Sequence, residues 1–277
     1  MSRKAQIIWA VLFAAFVVVL YWPVFRWMAG TWLSSDYYSY GFLILPLSIF
    51  FAWIKRGQLT ERKPSIMAVP TAIMGIFLYS FSFWSGLRIL GGLSLIFILA
   101  AIVLGLLGAK SLRILAFPFA LLVFMIPLPF INELVYWLQA VSVHGSSWVL
   151  ERLGIPIVTS GAIIEIKDMT FTIGLVCSGI DTLLALLALG AVFAHILKGS
   201  IAKRLFLFVL ALPLAIAGNT LRIASIISVA YFFSLPTAMG WYHGLSSAIF
   251  FLLSFLVLVL AGRIMRCNIN YGLFGRA

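Results

Sequence analysis

The chain has 277 residues, a formal charge of +12, 64% hydrophobic residues and only 9% charged ones, whereas a soluble domain runs about 45–50% apolar and about 25% charged. A water-soluble globule is excluded, because even a large domain leaves roughly a quarter of its unfolded surface in solvent. Pro and Gly occur at ordinary frequency and there is no coiled-coil, collagen or internal repeat period, so fibrous, disordered and solenoid classes fall away too.

In lipid, only helices and closed barrels satisfy their own backbone groups, and the apolar runs here do not alternate as strands would. A hydrocarbon core of about 30 Å takes about 20 apolar residues per helix. Runs of that kind lie at roughly 6–24, 38–54, 66–85, 89–108, 113–130, 178–197, 204–222 and 244–262. The sequence therefore predicts an all-α polytopic membrane protein, one integral domain over 1–277 with about eight spans.

The first run follows Arg3 and Lys4 but exits into Trp22, Pro23, Phe25 and Arg26 instead of a small-residue cleavage site, so it is expected to stay as an anchor. Alternating sides from a cytoplasmic N-terminus puts Arg3, Lys4, Lys55, Arg56, Arg62, Lys63, Lys110, Arg113, Lys198, Lys203, Arg204, Arg263, Arg266 and Arg276 inside, about fourteen of nineteen basic residues. The outer side keeps Arg26, Arg88, Arg152, Lys167 and Arg222, with six of the seven acids, Glu61 being the exception. This bias assigns the net charge to topology, with both termini cytoplasmic in an inner or plasma membrane, and argues against a nucleic-acid face.

The longest break in hydropathy, 131–176, falls outside. Asn132 to Gly154 carries Leu134, Trp137, Leu138, Val141, Trp148 and Val149 at helical spacing, which predicts an interfacial amphipathic helix. Ile155 to Ile173 alternates at Ile164, Glu165, Ile166 and Lys167, with Ser160 and Gly161 before and Asp168 after, which predicts a small β-hairpin. Together they are expected to form an extracytoplasmic lid before the sixth span.

Ionisable residues near span ends mark functional candidates. Cys177, Ser178, Gly179, Ile180 and Asp181 open the sixth span, Asn219 and Arg222 close the seventh, and His243 with Gly244 opens the eighth, all at the outer end. Cys177 and Cys267 fall on opposite sides of the hydrocarbon and cannot pair. Cys177 is then an unpaired thiol at a helix start, a place that favours thiolate, although burial as a small hydrophobe is the commoner fate of free cysteine. Arg222, one turn after Asn219, offers a charged fork for an oxyanion or carboxylate, or else snorkels to headgroups. The run from Leu205 to Phe233 is too long for one crossing, so this helix is expected to kink at Pro213 or run on beyond the membrane. His243 follows Gly240, Trp241 and Tyr242 and suits either an interfacial ring or a proton carrier beside a nucleophile. Asp181, at i+4 from Cys177, would disfavour thiolate unless paired, so it is expected to bind Arg222 or orient His243.

His195 lies eighteen residues beyond Cys177, about 27 Å along a helix, and belongs to the other end; His144 is expected at the surface. The chain has no HExxH, Walker-type loop or Rossmann fingerprint, and Gly91-Gly92 lacks a nucleotide-loop context, so no metal or cofactor is expected.

The ordered set Cys177-Ser178-Gly179-Ile180, Asn219-x-x-Arg222-Ile223 and His243, with Tyr38-Ser39-Tyr40-Gly41-Phe42-Leu43 upstream and the stretch Gly161 to Val176 leading into the cysteine, resembles the exosortase and archaeosortase family of polytopic membrane cysteine transpeptidases. The resemblance spans most of 35–265. It implies a Cys nucleophile at Cys177, an Arg at Arg222 and a His at His243; Ser178, Gly179 and Asn219 stand in the matching motifs and are expected as supporting residues, and Asp181, to which the resemblance gives no role, is expected to support the site from its position alone. It further implies secreted protein substrates with a C-terminal tripartite sorting signal and a lipid or glycan acceptor. Members often carry Ser-His-Gly where this chain has Ser39-Tyr40-Gly41. Two other classes stay open on the residues alone. A transporter or lipid-handling protein would set its ionisable residues near the midplane, and an assembly scaffold would not need these side chains.

Overall fold

A computed structural model of the chain describes residues 12, 15–35, 37–59, 63–167 and 169–269. The expectations on Arg3, Lys4, Glu61, Arg62, Asp168 and Arg276 lie outside those residues. The described chain is mostly helical with a few short strands, as expected for a helical membrane protein. Among the described residues four helices are long and apolar enough to cross a membrane: Ala68–Ser85, Arg88–Leu106, Ile201–Phe232 and Leu235–Ile264. Gly41–Ile54 and Ile180–Ile196 are apolar but shorter.

The chain folds into two compact units that divide between Pro129 and Phe130. The first contains α1 (Trp22–Ser34), α2 (Gly41–Ile54), α3 (Ala68–Ser85), α4 (Arg88–Leu106), α5 (Gly108–Ile114) and α6 (Ala116–Val123). The first apolar run does not end at Trp22-Pro23. Helical backbone over 15–20 is followed by a turn at Tyr21, which caps α1, and Pro23 lies in the opening turn of α1, where its missing N–H costs nothing. The expected run 113–130 is also interrupted. Helix stops at Leu115, and after Val123 the chain is irregular, which leaves carbonyls without intrahelical partners. Side chains from elsewhere in the unit supply the donors: Trp32 Nε1 to the Met125 carbonyl at 2.9 Å, Tyr40 Oη to that of Phe124 at 3.1 Å, and Ser48 Oγ to that of Pro118 at 2.9 Å. Tyr40, which stands where the resemblance leads one to expect histidine, is thus bonded within this unit.

The second unit begins with α7 (Ile131–Arg152), where the sequence predicts the interfacial helix. Val135, Leu138, Ser142, Val143, Ser146, Ser147 and Leu150 are buried, while Trp137 and Trp148 point outward. Small polar residues line the seam because they let backbones approach closely. At Gly145 a Cβ would come within 2.8 Å of Thr220 Cγ2, so this approach requires glycine.

The predicted hairpin is a three-stranded antiparallel meander: β1 (Val158–Ser160), β2 (Ile163–Ile166) and β3 (Met169–Thr172), paired Ser160 with Ile163 and Ile166 with Met169. β1 escaped notice because all three of its residues are exposed and show no apolar alternation. Ile164, Ile166 and Phe171 cover a core that also takes Val143 and Leu150 of α7 and Ile223 and Ile227 of the long helix described next. Then come α8 (Ile180–Ile196), β4 (Leu197–Lys198), α9 (Ile201–Phe232), α10 (His243–Ile264) and β5 (Asn268–Ile269), the last paired with β4. α9 stays helical through Pro213 for 32 residues, about 48 Å at 1.5 Å each, so the helix runs on rather than ending at the kink. Its buried line Leu207, Ala211, Ala215, Gly218, Asn219 and Arg222 follows the i, i+4 period of one face.

Candidate active site

After β3, Gly174 is extended and Leu175–Ser178 forms a single 3-10 turn, in which the Cys177 amide donates to the Gly174 carbonyl at 2.9 Å. Gly179 then takes φ +81° and α8 starts at Ile180. Cys177 therefore precedes the helix instead of lying in its first turn. The left-handed break also removes the expected i, i+4 relation to Asp181, whose side chain is exposed. Among the described residues Asp181 forms no hydrogen bond or ion pair with Arg222 or His243, so the expected pairing is absent.

Asn219 organises the turn. Its Nδ2 donates to the Cys177 carbonyl at 3.0 Å and to Ser142 Oγ at 2.9 Å, and its Oδ1 accepts from Arg222 Nη1 at 3.5 Å. Ser142 in turn donates to the Ser178 carbonyl at 3.4 Å, and Gln139 Nε2 reaches the Ile173 carbonyl at 2.5 Å. Gly179 is the close neighbour: a Cβ there would lie 2.5 Å from Asn219 Cγ. Two polar atoms in this nest are buried with no hydrogen-bond partner, Ser178 Oγ and Arg222 Nε. Native proteins rarely leave such groups unpaired, and a site awaiting a ligand is one reason for it. Arg222 is 8% exposed, which leaves a charged fork held inside the unit and not snorkelled to its surface.

His243 is the first residue of α10. It follows a π-type turn over Ala238–Tyr242 in which Gly240 leaves helical geometry. The ring is half-buried. Ser246 Oγ donates to the His243 carbonyl at 2.8 Å, which holds the helix start. Cys177 and Tyr242 both pack against the apolar core of this unit.

The structure thus links Cys177, Ser178, Gly179, Asn219 and Arg222 through bonds and contacts, whereas among the described residues the His243 side chain forms no hydrogen bond to them. His195 sits at the far end of α8, and His144 is exposed on α7 with Nδ1 against the Ala140 carbonyl. Ser142 and Gln139 were missed in the sequence. The signal was the small polar stripe Ser142 and Ser146 at i, i+4, which reads as a seam once lipid is the solvent. Among the described residues no group of three His, Cys, Asp or Glu side chains is placed to hold a metal ion. Asn219 thus ties the backbone of the thiol turn to a buried cation, and a thiol, a guanidinium and an imidazole brought together are groups that can carry out acyl transfer through a covalent intermediate.

A family model described as transmembrane exosortase matches residues 32–260, which contain every one of these side chains. No curated protein and no solved structure matches the chain.

Proposed function

The chain belongs to the transmembrane exosortase family, and from that premise we propose that it is a membrane-embedded cysteine transpeptidase. It cleaves the C-terminal tripartite sorting signal of secreted proteins at the outer membrane face and transfers them to an acceptor, a lipid or a glycan. The observation that carries this reading is the Asn219 amide, which ties the Cys177 backbone to the Arg222 guanidinium.

The Cys177 thiolate attacks the scissile carbonyl, and the electron pair moves onto the carbonyl oxygen. Arg222 Nε and Ser178 Oγ–H, both buried without a partner, receive that oxyanion, because donors aimed at developing charge in a dry site stabilise it most. Collapse expels the amine, which takes its proton from His243, and leaves a Cys177 thioester. The acceptor's hydroxyl or amine then attacks, gives its proton to His243 and releases the thiolate. The insertion 131–176 acts as a lid that keeps water from the thioester, and α7 doubles as a wall of the site through Ser142. The outer-face assignment rests on the distribution of basic residues among the loops.

The test is Cys177→Ala in cells that co-express a secreted protein with a tripartite C-terminal signal. The variant should reach the membrane at wild-type level and leave the signal uncut. Cutting at the wild-type rate by the alanine variant ends the proposal.

A further inference from the structure

The first unit holds a cleft of about 750 Å³ on α1, closed on its other side by the turn between α3 and α4. Trp22, Arg26, Trp27 and Gly30 line it from one face of α1, and Phe83 and Arg88 from the turn. No acidic side chain contributes to the lining. Arg26 and Arg88 are both exposed and have no hydrogen bond or ion pair among the described residues. The hydroxyls of the cleft donate to backbone: Thr31 to Trp27, Ser34 to Gly30 and Ser82 to Leu87. The donors left over are the two guanidiniums and the indole N–H groups, which fits a ligand rich in acceptors and negative charge.

The position narrows the class. α3 and α4 are both long and apolar enough to cross a membrane, and Arg88 is the first residue of α4. The cleft therefore sits where two crossing helices meet the headgroup layer, with tryptophan beside arginine as at a lipid interface. Its volume lies within the ordinary range of ligand pockets, and its wall is apolar next to the cations. We infer that this cleft is a binding site for the phosphate headgroup of an anionic phospholipid, with Arg26 and Arg88 sharing the phosphate and Trp22, Trp27 and Phe83 flanking the glycerol and first acyl carbons. This site is separate from the reading given for Cys177 and does not depend on it.

The experiment uses the full chain in detergent micelles with phosphatidylglycerol, and native mass spectrometry counts the lipid retained. Wild type should keep one lipid, and Arg26→Gln/Arg88→Gln should lower the retained fraction about tenfold or more, as loss of charge-assisted bonds requires. Gly30→Leu should do the same by filling the cleft; a Cβ at Gly30 meets nothing within 4 Å, and an unchanged thermal midpoint is the check that this variant folds. Arg152→Gln, which removes an exposed arginine of the other unit, should leave retention unchanged. Millimolar inorganic phosphate should not displace the lipid, since it lacks the apolar contacts. Wild-type retention by either the double variant or Gly30→Leu overturns the inference, as does equal loss in Arg152→Gln or displacement by inorganic phosphate.

Discussion

Gly179→Ala is the smallest change that tests how the thiol turn is held. Alanine at φ +81° costs about 1–2 kcal/mol, because Cβ crowds the carbonyl in the left-handed region. The new methyl would stand 2.5 Å from Asn219 Cγ and 2.7 Å from Asn219 Cβ, distances that real carbon pairs do not show, so Asn219 must turn away. It then gives up its bonds to the Cys177 carbonyl and to Ser142, each worth about 1 kcal/mol net. The sum, about 3–4 kcal/mol, corresponds to a population of the ordered site about a hundredfold to a thousandfold lower. The assay is the rate of signal removal from a co-expressed substrate, read by intact mass at matched membrane levels. Gly105→Ala is the control, since its Cβ would meet only Ala68 Cβ at 3.7 Å. Processing by Gly179→Ala within about twofold of wild type, where twofold is well under 1 kcal/mol, refutes the claim that Asn219 positions Cys177.

Other substitutions separate the roles. Arg222→Lys keeps the charge but loses the fork and Nε, and processing should fall about a hundredfold, as it does when an oxyanion donor is lost; wild-type turnover would show that charge alone suffices. Ser142→Ala removes one acceptor of Asn219 and should slow processing by about fivefold, equivalent to one neutral hydrogen bond, measured in the same assay. Asp181→Asn should change processing by less than about twofold, because an exposed carboxylate away from Arg222 and His243 couples weakly to them; a large loss would restore the pairing expected in the sequence. Lys167→Ala removes an ammonium 4.0 Å above the Tyr231 ring and should lower stability by about 0.5–1 kcal/mol without affecting processing, read as a small fall in thermal midpoint.

What the sequence made legible was set by where each signal lies. The apolar runs of α3, α4, α9 and α10 are uninterrupted, and period and composition located them. The run near 113–130 misled because Leu115 and the irregular stretch after Val123 break it without lowering its hydropathy. The Cys177, Arg222 and His243 segments were legible because ionisable residues are sparse in so apolar a chain. Their supports were legible only in part: Asn219 was singled out, but how the turn is held was not. Gly179 reads as a helix residue until its positive φ is seen, and that one dihedral separates Cys177 from Asp181. Ser142 and Gln139 were hidden because α7 was read from the spacing of its large apolar residues, which says nothing of the small polar residues that face inward.

The most direct measurement is capture of the acyl intermediate. Neutral hydroxylamine added to membranes containing the wild-type chain and a substrate should release the substrate with a C-terminal hydroxamate, read as intact mass, and Cys177→Ala membranes should release none. Hydroxamate formed with the alanine variant, or a substrate cut by the wild type that never acquires the hydroxamate mass, would contradict a thioester at Cys177.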